Sequence, residues 1–353
     1  MEAITEIAAT ILAQMQKPTL AFLIGGMVLA AMQSRLEVPE AVYKFIVMLL
    51  LLKVGLGAGI SVREADLIEL AVPAVAALIA GVLIVLVGAR LFAGRAGVSY
   101  SDGMATVGLF GAVSASTLAA AMAMLDDGGI AYEGFIGALY PFMDLAALLT
   151  AILLARMSAE RRPVQIGQSG GSAVLGGGGG GGPAPLDGGL VRQILVDTLR
   201  SPAISALLLG LAIGVLARPD SVYASFYEPL FRGLLSVLML IMGMEAWARL
   251  SELRKVAHAY ILYAATAPIL HGLVGFGLGL VAHHLTGFSA GGVVLLAVMA
   301  ASSSDISGPP TMRGALPEAN PSAYVGASTG IGTPIAILSI PLFMALADLV
   351  IGF

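Results

Sequence analysis

The chain has no cysteine, one tryptophan in 353 residues, and only 11% charged residues. The absence of cysteine excludes disulfides and thiolate metal or redox centres. Its four histidines, His258, His271, His283 and His284, show no zinc-ligand spacing. No Walker loop, dinucleotide fingerprint, HExxH or GxSxG string is present, which removes the commonest phosphate, zinc and acyl-transfer chemistries. A net charge of −4 gives no reason to expect nucleic acid as a partner. What the chain has instead is apolar surface: 58% of residues are hydrophobic, far above a soluble domain.

That composition predicts an all-α polytopic membrane protein bathed in lipid. Segments long enough to cross a bilayer core fall at about 18–33, 42–60, 70–92, 103–125 and 136–156. They resume at about 201–217, 229–247, 259–285, 291–312 and 323–351, making ten. The opening MEAITEIAATILAQMQK is acidic and lacks a small-residue cleavage site. It reads as a short amphipathic helix rather than a secretory signal.

Basic residues alternate between the two sets of connections. Thirteen, from Arg35 and Lys44 through Arg249 and Arg313, fall on one side; Lys17, Arg63, Arg218 and Arg232 fall on the other. The positive-inside rule puts the richer side in the cytoplasm of a cell inner membrane, with both termini outside. The cytosolic connection includes GQSGGSAVLGGGGGGGPAPLDGG (167–189), a tether that packs no core. The chain therefore divides into 1–160, a linker at 161–195, and 196–353. Five spans in each block force the second to enter the membrane inverted, the condition for an inverted repeat. KPTLAFLIGGMVLAA echoes SPAISALLLGLAIGV, and LLKVGLGAGISVREADL echoes LIMGMEAWARLSELRK.

Two polar strings interrupt the apolar segments at matching places. GLFGAVSASTLAAAM carries Ser114, Ser116 and Thr117; AVMAASSSDISGPPT carries Ser302, Ser303, Ser304, Asp305 and Ser307. Aligned as GAVSAST on MAASSSD they lie 188 positions apart. Breaks of this kind cost free energy in hydrocarbon unless the freed backbone finds partners. A matched pair is the best sequence pointer to a transporter's substrate site. Spans four and nine are thus predicted to be broken helices crossing near the midplane.

A half-helix starting near Gly111–Thr117 points its free N–H groups into the gap. A second starts at Ser302–Pro310, with Pro309 and Pro310 suited to a first turn. Two facing N-termini with short hydroxyls suit a compact oxyanion. Gly111, Ser114, Ala115, Ser116, Thr117, Ser302, Ser303 and Ser304 are the candidate anion-binding residues. The intramembrane carboxylates Asp144 and Asp305 are functional candidates by default. A hard cation such as sodium could take Asp305 with Ser302 and Ser304, or Asp144 with Ser114 and Thr117 after Pro141. The competing reading pairs one of these carboxylates with Lys53, which also sits among apolar residues. The serine string has no nearby histidine base, which argues against nucleophilic catalysis, so the chain is read as a non-enzyme.

The chain resembles the cyanobacterial-type sodium-dependent bicarbonate transporter family. The resemblance rests on PTLAFLIGGMV (18–28), GLFGAVSAST (108–117), GALYPFMD (137–144), ARPDSVYASFYEPLFRGLLSVLMLIMGMEAW (217–247), SELRKVA (251–257), ASSSDISGPPT (301–311) and NPSAYVGASTGIGTP (320–334). It implies sodium-coupled bicarbonate symport, with core and gate domains and the substrate between Gly111–Thr117 and Ser302–Asp305. It also implies a homotrimer and a cytosolic PII-like regulatory protein, for which 247–258 is a candidate contact. The residues alone leave two other readings open: a sodium- or proton-coupled carrier of another small anion, and a membrane sensor that recruits a cytosolic regulator.

Overall fold

The computed structural model describes residues 16–95, 97–160, 188–253 and 258–353. The expected N-terminal amphipathic helix and residues 161–187 of the linker lie outside the described residues. Every regular element among the described residues is helical, with no strand among them. In order they form α1 (Pro18–Ala31), α2 (Glu40–Val62), α3 (Leu67–Leu91), α4 (Tyr100–Gly111), α5 (Ala115–Gly128) and α6 (Tyr140–Glu160). Then come α7 (Gly188–Leu199), α8 (Pro202–Leu216), α9 (Glu228–Leu253), α10 (His258–Thr286), α11 (Ala290–Ala301) and α12 (Gly308–Ala315). The last are α13 (Pro321–Val325), α14 (Thr333–Leu338) and α15 (Ile340–Val350). Seven helical segments are long and apolar enough to cross a membrane, and α1, α8 and α11 are shorter apolar helices.

Local chemistry sets many of the ends. Asp66, Ser99 and Ser289 cap α3, α4 and α11, each accepting a backbone N–H from the first turn. Proline opens α1, α8 and α13, where its missing N–H costs nothing. Three departures from regular helix escaped the sequence reading. A 3₁₀ turn at Gly134–Leu139 precedes α6, and π turns occupy Tyr223–Tyr227 and Gly326–Gly332. In addition, α7 already begins at Gly188, inside the stretch read as linker.

Packing sorts the helices into two bundles. α1 lies along α9, and α2 lies along α8. α3, α4, α6, α10, α11 and α15 form the other bundle. Small residues bring the first set close. A Cβ on Gly55 would collide with the Leu207 carbonyl oxygen of α8, and one on Gly243 with the Leu23 carbonyl oxygen of α1. Both crossings thus run backbone against backbone, as small-residue contacts do in membranes. The bundles meet where α2 packs on the 3₁₀ turn and α9 on the Gly326–Gly332 π turn.

Gly55→Val is expected to destabilise the detergent-solubilised protein by about 1–3 kcal/mol, because a carbonyl cannot retreat. Gly233, also helical, has nothing within 4 Å of the place a methyl group would occupy, so Gly233→Ala should be neutral or stabilising by about 0.5–1 kcal/mol. Thermal melts of the two variants check this; equal melting temperatures would sink the close-crossing argument.

Candidate functional site

Both polar strings break their helices. α4 ends at Gly111 and α5 restarts at Ala115, with Ala112 and Ser114 extended between them. α11 ends at Ala301, Ser302 is extended, and α12 restarts at Gly308. The freed backbone groups are satisfied across the gap. Ser304 N donates to the Leu109 carbonyl at 2.8 Å. Ser114 N donates to Ser302 Oγ at 2.9 Å, a bond between residues 188 positions apart. Val113 N donates to Asp144 Oδ1 at 3.1 Å. The two breaks are therefore one hydrogen-bonded unit, meeting the demand that backbone inside hydrocarbon find partners within the protein.

Hydroxyl chains run from each break to a carboxylate. Ser116 Oγ donates to Asp305 Oδ2 at 2.6 Å. That spends its single proton, so at 2.9 Å Ser114 Oγ donates to Ser116 Oγ. Thr117 supplies Ser114 Oγ through both its hydroxyl, at 3.0 Å, and its amide, at 3.2 Å. On the other side Ser307 Oγ donates to Asp144 Oδ2 at 3.2 Å. Ser304 Oγ then donates to Ser307 Oγ at 3.0 Å, and Gly308 N to Ser304 Oγ at 2.8 Å. Each chain is polarised toward its carboxylate, which strengthens successive bonds.

These partners differ from the groupings drawn from sequence. Asp305 bonds Ser116 of the opposite break, rather than Ser302 or Ser304 beside it. Asp144 bonds Val113 and Ser307, rather than Ser114 or Thr117. Lys53 reaches neither carboxylate among the described residues; its Nζ lies 4.3 Å from the Phe231 ring centroid. Ser302 Oγ also donates to its own helix at Met299 O. Ser303 turns away toward Ser328 and Thr333, while Gly111 and Ala115 flank the first break as buried helix ends.

Ser328, Thr329 and Thr333 are the polar residues that sequence reading did not place near the breaks. Ser328 Oγ lies within hydrogen-bond reach of Ser303 Oγ at 3.0 Å and the Ser304 carbonyl at 3.2 Å. Their signal was the string GASTGIGTP, another glycine- and hydroxyl-rich interruption of an apolar span.

The two half-helix starts are also unequal. At the head of α5 the amides of Ala115 and Ser116 have no intrahelical acceptor. At the head of α12, Pro309 and Pro310 have no N–H, and the Gly308 amide is taken by Ser304. Of the two helix starts expected from the sequence, only that of α5 bears free amides, because prolines suited to a first turn also strip α12 of donors.

A cavity of about 490 Å³ reaches this unit from one side. Lys44, Arg249 and Arg313 line it, with Glu40 and Glu245, and Asp305 and Thr329 stand in its wall. Among the described residues no hydrogen-bond partner reaches Asp305 Oδ1, which is buried there. Further along α2, and sharing Val47 with the cavity, Val47, Leu50, Leu51, Val54 and Leu238 close as a plug against Ala115, Ser116 and Ala119. They leave only about 10 Å³ between them, against about 490 Å³ in the cavity. Beyond this plug Asp127 pairs with Arg232 at 2.7 Å, and its carbonyl accepts from Lys17. Among the described residues no three histidine, aspartate or glutamate side chains gather to hold a metal. Carboxylate, hydroxyl and carbonyl oxygens are the available ligands, a set suited to a hard cation.

No curated protein matches the sequence. The family described as the Na+-dependent bicarbonate transporter superfamily matches residues 18–348. That match takes in both helix breaks, both carboxylates and every apolar helix described above. The protein is a multi-pass membrane transporter, not an enzyme, and belongs to the Na+-dependent bicarbonate transporter superfamily.

Proposed function

We propose that the protein is a sodium-coupled bicarbonate symporter that takes up inorganic carbon across the cytoplasmic membrane. The observation that carries this reading is Asp305: one oxygen is bonded across the breaks by Ser116, while the other is buried, unpartnered, beside a cavity. A bicarbonate ion brought within about 4 Å of that carboxylate meets roughly 4 kcal/mol of repulsion at an effective dielectric near 20. Sodium at Asp305 Oδ1 cancels the repulsion, and the Ala115 and Ser116 amides at the positive end of α5 are then free to receive the anion. Coupling follows because the anion binds well only after sodium.

The finer architecture belongs to the same reading. Ten spans in two inverted five-span repeats, 1–160 and 196–353 about the 161–195 linker, accord with the hydrogen bond between Ser114 and its offset mate Ser302. The bundle of α1, α2, α8 and α9 is assigned as gate, and the bundle carrying both breaks as core. Lys44, Arg249 and Arg313 lie at helix ends on the basic-rich side, so in this reading the cavity opens to the cytosol and both termini lie outside. The molecule is then inward-open, its outer path shut by the Leu50–Leu238 plug. Alternating access is movement of the core against the gate. Ser114, Ser116, Thr117 and Ser302 are proposed to shape the anion pocket, with Ser303 and Ser304 holding the second break. The homotrimer and the PII-like regulator rest on the sequence resemblance. Part of the regulator's candidate contact, 254–257, lies outside the described residues.

Uptake of labelled inorganic carbon into proteoliposomes tests the reading. A sodium gradient should drive uptake, and an equal potassium gradient should not. Equal rates in the two cations, or uptake only of a different anion, would overturn it.

Two variants locate the sodium site. Asp305→Asn is expected to raise the sodium half-saturation more than about tenfold, since it deletes a ligand charge. Asp144→Asn should lower the maximal rate while leaving half-saturation within about threefold, because both its oxygens already serve the breaks. The reverse pattern would move the sodium site to Asp144.

A further inference from the structure

Lys53 is a membrane-buried cation to which the transport reading gives no task. It is 7% exposed in the middle of α2. Among the described residues no hydrogen bond or ion pair holds its ammonium. Its neighbours are rings: Phe231 at 4.3 Å and Tyr223 at 5.6 Å from centroid to Nζ. Cation–π contacts return only part of what burying a charge costs. Asp126 and Glu228 act on it through space, yet neither bonds it. Asp126 is engaged by the Tyr132 hydroxyl at 2.9 Å. Nearby cations are paired: Arg232 with Asp127 at 2.7 Å, Arg63 with Asp220 at 3.2 Å.

Its place on α2 matters as much as its charge. Leu50, Leu51 and Val54, its immediate neighbours, close against Ala115, Ser116 and Ala119, the packing that the transport reading takes as the outer plug. Tyr223 belongs to the Tyr223–Tyr227 π turn, an irregularity that often marks functional positions. A cation without an acceptor, screened by two rings and set beside the plug, is placed to receive an anion.

We propose that Lys53 is an anion-binding residue on the outer path, which exchanges its aromatic rings for an incoming monovalent oxyanion when the plug opens. The inference rests on the transport reading for its sidedness and for bicarbonate as the anion. The ammonium offers three donors and a full charge, so it would concentrate the anion before the Ser116–Asp305 unit receives it. The anion leaves Lys53 once sodium at Asp305 makes the inner position the more favourable.

The test uses the full chain in two ways. In proteoliposomes, Lys53→Met should raise the KM for external bicarbonate about tenfold, leaving kcat and the sodium half-saturation within about twofold. Lys53→Arg should stay near wild type. In intact cells expressing the wild-type protein, bicarbonate with sodium should protect Lys53 from an externally added amine-acylating reagent, read by peptide mass. An unchanged KM in Lys53→Met together with no protection overturns the proposal and leaves the ammonium a staple for Tyr223 and Phe231. If Lys53→Met does not fold, protection in the wild type decides. If the wild type moves no bicarbonate, protection still supports an anion site and only the symport reading falls; absence of both removes both.

Discussion

A helix interrupted inside hydrocarbon leaves N–H and C=O groups that lipid cannot satisfy, at several kcal/mol apiece. Everything near the centre of this molecule answers that constraint. Each break repairs the other, through Ser304 N on the Leu109 carbonyl and Ser114 N on Ser302 Oγ. Neither interruption has those partners without the opposite one, so the two halves of the chain must fold against each other. Once they do, the hydroxyls that repaired the backbone stand next to Asp144 and Asp305, and chemistry becomes possible in a place otherwise hostile to charge.

The division into two bundles follows from a different force. α1, α2, α8 and α9 approach backbone to backbone at Gly55 and Gly243, so dispersion contacts and close crossings hold them in place of hydrophobic burial from water. The bundle with the breaks is instead tied by hydrogen bonds. The contact between the bundles at the plug is apolar and small-featured, lined by Val47, Leu50, Val54 and Ala119. Such a surface can slide with little loss, so in the proposed transport cycle the breaks would travel intact with their own bundle.

The parts legible in the sequence were local ones. Glycine, serine and proline inside an apolar run mark an interruption wherever the chain folds, so Gly111–Ser114 and Ser302–Pro310 could be read directly. The identity of hydrogen-bond partners is non-local and was not legible: Asp305 bonds Ser116 across the gap, and Asp144 bonds Ser307, because the breaks run past one another rather than folding back on themselves. The π turn at Gly326–Gly332 was missed although its glycines and hydroxyls interrupt an apolar span, because it has no offset mate in the first half to mark it. The prolines at 309 and 310 were read for what they permit, a first turn, and not for the amides they remove. The competing pairing of Lys53 with a carboxylate weighed charge alone, whereas its ammonium lies by aromatic rings of α9 and the π turn before it.

The inequality of the two half-helix starts bears on why such a protein is one chain. Thr117 and Asp305 stand at matching places in the two strings, one neutral and one acidic, and the prolines after Asp305 have no counterpart after Thr117. Two identical half-length subunits joined by a two-fold axis would have to carry the same residue at both places. Two aspartates there would repel each other and share a proton; two threonines would offer no charge to a cation. On the proposed transport reading, fusion lifts that restriction, letting one half specialise in amides for an anion and the other in a carboxylate for its counter-ion. Joining the halves in one chain is then what would allow a scaffold built of repeats to hold an asymmetric pair of ions.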